Sequence, residues 1–204
     1  LKFSINEKEN QLRQFSSVEN SMKELGSEIN QMNNQLSSLQ NNIDLMNVSL
    51  QVKLSFDYTN PEKNFNREER VKGFIASLFT FSDKKYALPL EVIAGGKLLQ
   101  IVVDNEQTGK LLLTKGNLKK RVTILPLNKL SAKPLSKDKL AKAKQIAKEM
   151  NGTAFLALEL VQYSPEVSVA MDYTFGTTIV CSSNDIAKTI AFHKDIKCKT
   201  VTLE

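Results

Sequence analysis

The sequence has few of the residues from which metal sites and disulfide scaffolds are built. It contains one histidine, two cysteines and no tryptophan among 204 residues. His193 has only Cys181 and Cys198 as conceivable metal partners, and no CxxC or HxxxH spacing brings ligands together. A metal site is therefore not predicted, and a surface or core histidine is the favoured interpretation. Two cysteines in a chain of this length favour a reducing compartment over a disulfide scaffold.

Sequence motifs of catalysis are missing as well. Gly109-Lys110 is similar to the end of a phosphate-binding loop, but Asp104 stands where that motif needs glycine and Leu111 where it needs Ser or Thr. No Gly-x-Ser-x-Gly string occurs, and the acidic pair Glu68-Glu69 lies in a Lys/Arg-rich region typical of a solvated surface. We predict no catalytic residue and no cofactor for this chain.

Long apolar runs are also missing, since no stretch approaches the roughly 20 consecutive apolar residues that a membrane-spanning helix needs. The N-terminus shows no secretion pattern, and no membrane partner is predicted. Charge is unevenly distributed: residues 1–50 carry four Lys/Arg against six Asp/Glu, whereas residues 51–204 carry 24 against 16. The basic character therefore belongs to the second part of the chain.

Apolar residues recur with alternating three- and four-residue spacing over five heptads of the first part. They are Phe15, Val18, Met22, Leu25, Ile29, Met32, Leu36, Leu39, Ile43, Met46 and Leu50. This seam predicts a coiled-coil helix over residues 1–56, called the arm below, and an amphipathic helix lying on a globular core is the less favoured alternative. The flanking positions are mostly Asn, Gln and Ser, so few charges can select a partner helix. The arm ends near residues 57–61, because the residue before Pro61 disfavours helical geometry.

The second part predicts two β-α-β units of the same shape. The first has strands at residues 98–103 and 121–125 around a helix at 106–115, and the second has strands at 177–181 and 199–203 around a helix at 184–192. They align without gaps at an offset of 78 residues, which predicts two subdomains of mixed sheet and helix. Between them Ser136 can cap a helix over residues 136–150. A strand at 74–81 and a short helix at 90–94 precede the first unit.

Two features of the second part could carry binding. Gly73, Gly95, Gly96 and Gly176 lie beside strands, where glycine allows either a plain turn or the close approach of another backbone. Residues 110–148 carry twelve Lys/Arg and a single acidic residue. This charge is consistent with a solvated lysine-rich face and with a sequence-independent contact to DNA phosphates, and both interpretations are open.

Several segments of the second part resemble the hinge domain of the SMC chromosome-organising ATPases. They are Arg70-Val71-Lys72-Gly73-Phe74, Ala94-Gly95-Gly96-Lys97-Leu98, Ile101-Val102-Val103-Asp104, Arg121-Val122-Thr123-Ile124-Leu125-Pro126-Leu127-Asn128-Lys129 and Phe175-Gly176-Thr177-Thr178-Ile179-Val180. Residues 60–67, ahead of Val71-Lys72-Gly73, resemble the condensin subunit that partners the kleisin's N-terminal region more than they resemble cohesin subunits.

The resemblance implies an α+β fold, with a long coiled-coil helix followed by a two-subdomain hinge of mixed sheets and flanking helices. The expected divisions are an arm at 1–56 and a hinge at 57–204, with subdomain I at about 66–130, a linker helix at about 136–150 and subdomain II at about 153–204. In this family a glycine-rich segment and a descending arm follow the last strand. The sequence does not contain them, so we interpret it as a fragment with a C-terminally incomplete hinge.

The resemblance also implies a function. Two hinges from different SMC chains join at the tips of antiparallel coiled coils, so we expect a structural dimerisation module of a condensin-type protein, acting in chromosome condensation and DNA loop organisation without catalysis of its own. ATP and Mg²⁺ are expected only in the head domains of the full-length protein. The expected partners are a second, different SMC hinge, DNA, and the kleisin and other condensin subunits. The expected location is the nucleus and chromosomes, and also the cytoplasm.

Candidate site residues follow from the glycines and from the basic segment. For the dimer contact we predict Gly95, Gly96, Gly176, Thr177 and Thr178. For weak, sequence-independent DNA contact we predict Lys115, Lys119, Lys120, Arg121, Lys133 and Lys137. The alternative function is a stand-alone basic nucleic-acid-binding domain that dimerises through its coiled coil.

Overall fold

The computed structural model of the protein describes the backbone of residues 2–203 and the side chains of residues 18–50 and 53–203. The chain forms two compact units, Leu1–Ser55 and Phe56–Glu204.

The first unit is one long helix, α1, which runs over Lys2–Lys53. At 1.5 Å per residue, its 52 residues span about 78 Å. The seam side chains from Val18 to Leu50 are between 50% and 71% exposed, so their apolar face lies open in the single chain. Phe15, the first residue of the predicted seam, lies outside the described side chains. The long N-terminal helix predicted from the heptads is confirmed.

The first half of the second unit contains a three-stranded sheet. Its elements are α2 (Arg67–Arg70), β1 (Val71–Phe74), β2 (Phe79–Thr80), α3 (Ala87–Ala94), β3 (Ile101–Val103), α4 (Glu106–Lys115) and β4 (Ile124–Pro126). The strand order is β1-β3-β4, with β1 antiparallel and β4 parallel to β3. Helix α4 crosses between the two parallel strands and buries Leu112 completely. The predicted first β-α-β unit is therefore present.

The predicted strand over residues 74–81 is wrong. The chain leaves β1 at Phe74, makes a 3-10 turn over Ile75–Ser77 and resumes as the two-residue strand β2. The Ser77 hydroxyl holds this turn by donating to the Phe74 carbonyl at 2.8 Å, and the Leu78 N–H donates to the Ile75 carbonyl at 3.0 Å. The turn places β2 in a different sheet from β1.

Other predicted boundaries also move. A further 3-10 turn, Gly95–Leu99, occupies the start of the strand predicted at 98–103, so β3 is shorter than expected. Helix α3 begins at Ala87, before the predicted residue 90, and β4 begins at Ile124, after the predicted residue 121.

The second half repeats the arrangement of the first. Its elements are α5 (Lys137–Glu149), β5 (Ala154–Leu156), β6 (Gln162–Tyr163), α6 (Ser168–Phe175), β7 (Thr178–Cys181), α7 (Asn184–Phe192) and β8 (Lys199–Thr202). The strand order is β5-β7-β8, with β5 antiparallel and β8 parallel to β7. Ser136 occupies the N-cap position of α5 as predicted, but its hydroxyl makes no capping hydrogen bond, and its carbonyl accepts from the Leu140 N–H instead.

The two halves contact each other through equivalent elements. Strand β2 pairs antiparallel with β6, with Phe79 opposite Tyr163 and Thr80 opposite Gln162, and α3 packs against α6. Such like-with-like contacts are those of two similar units related by an approximate two-fold axis. The offset of 78 residues aligns only the later elements of each half. The earlier elements have a different offset, because the 3-10 turn Gly95–Leu99 and the irregular strand pairing at Gly73 change the number of residues between them.

Two hydrophobic clusters stabilise the second unit. The first lies where the halves meet and includes Phe175, which is fully buried with its ring edge-on to Phe79 at a centroid distance of 5.0 Å. The second joins α5 and α7 to the sheet β5-β7-β8 through residues such as Ala143 and Ile190. Strands β4 and β8 each lie at one edge of their sheet, and Leu125 of β4 belongs to the first cluster.

Candidate dimerisation edge and basic surface

Strand β8 lies at one edge of its sheet, next to β7, and β5 lies at the opposite edge. Within the described chain, no further strand pairs with its other edge. An edge strand presents main-chain N–H and C=O groups that can pair with a strand of another chain. The backbone of β8 therefore offers a place for intermolecular pairing.

An apolar groove runs beside β8, between α3 and α7, with a volume of about 460 Å³. Its rim carries Leu88 and Val92 on α3 and Phe192 on α7, which are 64%, 61% and 84% exposed. Leu88 and Val92 lie four residues apart on one face of α3, while Leu90 and Ala94 bury another face in the core. Large apolar side chains grouped at this exposure are typical of a surface that another molecule covers.

Helix α7 explains why Phe192 is exposed. Ile186, Ala187 and Ile190 form its buried face against the sheet, and Phe192 follows Ile190 by two residues, which turns it away from that face. The helix ends there, because His193 adopts extended backbone angles. The helical period of this segment could have indicated an exposed apolar residue from the sequence alone.

The residues predicted for the dimer contact differ in their surroundings. Gly95 and Gly96 follow α3 and are exposed, and Gly95 has a φ of +49°, which glycine adopts readily. Gly176 follows α6 and is buried: its N–H donates to the Asp172 carbonyl at 2.9 Å, and its carbonyl accepts from the Leu135 N–H at 2.8 Å. Hydrogen bonds within the chain are thus sufficient to explain why Gly176 is buried.

The two threonines of the predicted contact also differ. Thr177 is exposed, whereas Thr178 is 5% exposed and pairs with Lys199 across β7 and β8. The exposed members of the predicted set are therefore Gly95, Gly96 and Thr177. Their part in a dimer contact stays a prediction, and the sequence analysis missed the apolar rim of the groove.

The predicted DNA-contact residues are all exposed and fall on both halves of the unit. Lys115 ends α4, and Lys119, Lys120 and Arg121 lie in the loop before β4, whereas Lys133 and Lys137 lie on the segment that leads into α5. The Lys119 ammonium is 3.9 Å from the Asp57 carboxylate, and such an exposed pair contributes little stability.

Other lysines of the basic segment are engaged in ion pairs. Lys129 lies 3.6 Å from Glu106, Lys142 lies 2.9 Å from Asp195 and Lys144 lies 2.8 Å from Glu159. These pairs fit the interpretation of a solvated charged face. Part of the charge of the segment is therefore balanced by acidic residues that are distant in sequence, which local composition cannot reveal.

A second cleft, with a volume of about 540 Å³, brings Lys133 together with three further lysines. Lys139 belongs to α5, while Lys197 and Lys199 belong to the far end of the chain, outside residues 110–148. None of these three lysines is among the predicted contact residues. Lys197 and Lys199 lie outside the basic segment and reach the cleft only because the fold joins two distant parts of the chain.

The two cysteines are not activated as nucleophiles at neutral pH. Burial raises the pKa of the Cys181 thiol to about 11, and it also raises the pKa of Cys198, so both stay protonated near neutral pH. In the part of the chain whose side chains are described, no group of three or more His, Cys, Asp and Glu residues could hold a metal ion. No described helix is long and apolar enough to cross a membrane.

The sequence is similar to known proteins over most of its length. It is 37% identical over 206 residues to Structural maintenance of chromosomes protein 2 of Schizosaccharomyces pombe, covering 100% of this chain and 17% of that protein. It is 48% identical over 150 residues to the protein of the same name from Xenopus laevis and 47% identical over 150 residues to that from Homo sapiens, in each case covering 74% of this chain and 12% of the relative. The chain thus spans a small part of the length of these relatives.

Solved structures give the same result for the fold. The SMC hinge domain of Geobacillus stearothermophilus, crystallised as an asymmetric dimer, has a TM-score of 0.55 at 29% identity and covers 66% of this chain and 52% of that chain. A structure described as the folded elbow of cohesin has a TM-score of 0.52 at 28% identity, covering 70% of this chain and 19% of that chain. The model of the family described as SMC proteins Flexible Hinge Domain matches residues 68–191. The chain therefore belongs to the family of SMC flexible hinge domains.

Proposed function

We propose that this hinge joins the protein to a second, different SMC hinge and is the structural dimerisation module of a condensin-type SMC protein. The observation that carries the proposal is the apolar groove beside the open edge of β8. The similarity to proteins named Structural maintenance of chromosomes protein 2 supports the condensin-type assignment.

Association through this edge combines two kinds of contact. A strand of the partner pairs with the backbone of β8, and its side chains cover Leu88, Val92 and Phe192. Complete burial of one such side chain contributes roughly 1.5–3 kcal/mol, whereas association costs about 4–15 kcal/mol in translational and rotational freedom. The groove is therefore the apolar centre of a larger contact, since a standard interface buries about 800 Å² on each partner.

In the whole protein, this contact closes the far end of two coiled-coil arms. The proposed process is chromosome condensation and DNA loop organisation, with ATP and Mg²⁺ bound by head domains and with kleisin and other condensin subunits as further partners. The proposed location is the nucleus and chromosomes, and also the cytoplasm.

The proposed function includes weak contact with DNA of any sequence. Exposed lysines on both halves support it, because ammonium groups neutralise phosphates without reading bases. The logarithm of affinity should fall linearly with the logarithm of salt concentration, by about 0.7 per contact on single strands and 0.9 on duplex. Fluorescence anisotropy with labelled oligonucleotides at several salt concentrations measures this slope, and a flat salt dependence would contradict phosphate contact.

A second candidate function is a basic nucleic-acid-binding domain that dimerises through its arm. The exposed seam of α1 favours it, since seam residues from Val18 to Leu50 have no cover in the single chain. In the first proposal, this seam pairs with an antiparallel helix of the same SMC polypeptide. The two candidates thus place the intermolecular contact on different units.

Light scattering with two matched variants separates the candidates. The 204-residue chain is measured alone and mixed with the hinge of a different condensin-type SMC subunit at micromolar concentration. Val92→Glu/Phe192→Glu places charges on the groove rim, and Leu25→Glu/Leu36→Glu places them on the seam, where the side chains are 56% and 66% exposed. We expect the groove variant to lose the mixed complex and the seam variant to retain it. The reverse result would establish the arm as the dimer contact.

A further inference from the structure

The cleft of about 540 Å³ lies between two segments that the fold holds firmly in place. One wall is the segment from Lys133 to Lys139, which is fastened where the Leu135 N–H donates to the Gly176 carbonyl at 2.8 Å. The other wall is the start of β8, where Lys199 pairs with Thr178 of β7. Thr177 lies between the walls. The cleft is therefore a preformed surface.

The charge of the cleft has one sign. Lys133, Lys139, Lys197 and Lys199 line it, and no acidic side chain is among its lining residues. None of these four lysines appears in an ion pair among the described side chains, in contrast to the outward-facing Lys142 and Lys144 of α5. The structure thus gathers four lysine side chains in one cleft, and none of them is ion-paired within the described part of the chain.

Neighbouring groups respond to this positive potential. Burial lowers the pKa of Lys97, and the charge of Lys199 lowers it further. Burial raises the pKa of Cys198, and the charge of Lys139 opposes that rise. Both effects have the direction expected of lysine charges close to these groups, and burial is the larger cause in each case.

We propose that this cleft is the centre of the DNA contact, where the four lysines neutralise successive phosphates of one strand's backbone. The inference rests on the DNA contact proposed above and assigns it to the second half of the hinge. Ammonium groups are compact point charges that can each neutralise one phosphate, and the four lysines line a single cleft where successive phosphates of one backbone could meet them.

Cys198 provides a native reporter for this site. It lines the cleft and is partly exposed, whereas Cys181 is fully buried. A neutral alkylating reagent at mildly alkaline pH should therefore modify Cys198 selectively. We expect a saturating oligonucleotide to slow this alkylation at least fivefold, and high salt should restore the rate as it releases the DNA. Cys198→Ser identifies the modified thiol by loss of the reaction.

Charge variants test the same cleft by a second measurement. Lys133→Gln/Lys139→Gln removes two cleft charges that lie outside β8, and Lys110→Gln/Lys148→Gln removes two exposed lysine charges that do not line the cleft. If each cleft lysine meets one phosphate, the first variant should reduce the salt slope by about 1.4 on single strands or 1.8 on duplex. The second variant should leave the slope within its measurement error. Light scattering confirms that both variants still form the mixed dimer.

The outcomes separate this inference from the proposed function. DNA binding with an unprotected Cys198 and equal slopes in both variants would overturn the cleft as the site, while the DNA contact itself would stand. Absence of DNA binding at low salt would overturn both, and the dimer mass would still test the hinge function independently. If polyglutamate protects Cys198 as well as an oligonucleotide of equal charge does, the cleft is a site for acidic polypeptides, and the assignment to DNA fails.

Discussion

Phe192→Ala tests the apolar groove with a substitution that should barely change the stability of the isolated domain. The side chain is 84% exposed and belongs to the last residue of α7, so its removal breaks few contacts within the chain. Alanine also favours the helix. Surface substitutions of this kind usually change the free energy of unfolding by less than about 0.5 kcal/mol. We therefore expect the melting temperature of the separated hinge to stay close to that of the unsubstituted chain.

In the complex the same side chain would pass from 84% exposed to buried. Complete burial of a phenylalanine contributes roughly 1.5–3 kcal/mol, so the fraction still available for burial corresponds to about 1.3–2.5 kcal/mol. Because about 1.4 kcal/mol is a tenfold change in Kd, the substitution should raise the Kd for the partner hinge by about tenfold to sixtyfold.

The assay is a titration of the labelled chain with the partner hinge, followed by fluorescence anisotropy. Leu113→Ala is the matched control, since Leu113 is 62% exposed on α4 and does not line the groove. Its Kd should equal that of the unsubstituted chain. A Kd for Phe192→Ala within twofold of the unsubstituted value, or an equal loss in the control, would refute the assignment of the groove.

Three further predictions concern stability. Phe175→Ala should lower the free energy of unfolding by about 3–5 kcal/mol in urea titrations, because this fully buried ring packs where the two halves meet; a loss below about 1 kcal/mol would contradict that role. Glu166 pairs with Lys72 at 2.8 Å, which holds the pKa of its carboxyl below the usual 4.5. The stabilisation from this ion pair is therefore fully present above pH 4.5 and is lost as the pH falls through the lowered pKa of Glu166. In a plot of the free energy of unfolding against pH, Glu166→Gln should make the decline at acid pH shallower and leave the shape of the curve between about pH 6 and 8 unchanged. The peptide 1–56 alone should show weak, concentration-dependent helicity by circular dichroism, and full helicity independent of concentration would contradict the need for a partner helix.

The fold was predictable where a periodic hydrophobic pattern ended at residues that favour a turn or a helix end. The seam predicted α1, and the alternation of apolar strands with a capped helix predicted both β-α-β units. The failure at residues 74–81 has a local cause, since an apolar run does not reveal that Ser77 bonds back to the Phe74 carbonyl and closes a turn. Such a side-chain bond competes with strand geometry without changing the hydropathy of the segment.

The candidate sites were less predictable, because they form between distant parts of the chain. The basic segment marked Lys133, but Lys197 and Lys199 join it only through the pairing of β7 with β8. The groove likewise combines α3 with α7, whose sequences lie about 100 residues apart. Composition and spacing report neighbours along the chain, whereas these surfaces depend on neighbours across the fold.

In the duplicated architecture, the edge strands β4 and β8 occupy equivalent places in the two halves but differ in the chemistry around them. The position equivalent to Phe192 at the offset of 78 residues is Thr114, which is polar. On α6, Tyr173 is covered by Lys97, whose ammonium lies 4.2 Å from the ring and donates to the Tyr173 carbonyl at 2.9 Å. Val92 of α3, in contrast to Tyr173, is exposed and lies in the groove with the apolar side chains of Leu88 and Phe192.

This asymmetry bears on the choice of partner. If β8 met β4 of a second copy of this chain, the positions equivalent to the apolar rim would be Thr114 and the Lys97-covered Tyr173, which would give Phe192 less apolar cover. Leaving that ring poorly covered forfeits much of the roughly 1.5–3 kcal/mol that its burial offers. A different hinge with apolar residues at these positions recovers that contribution, so the divergence of the two halves favours a heterodimer over self-association.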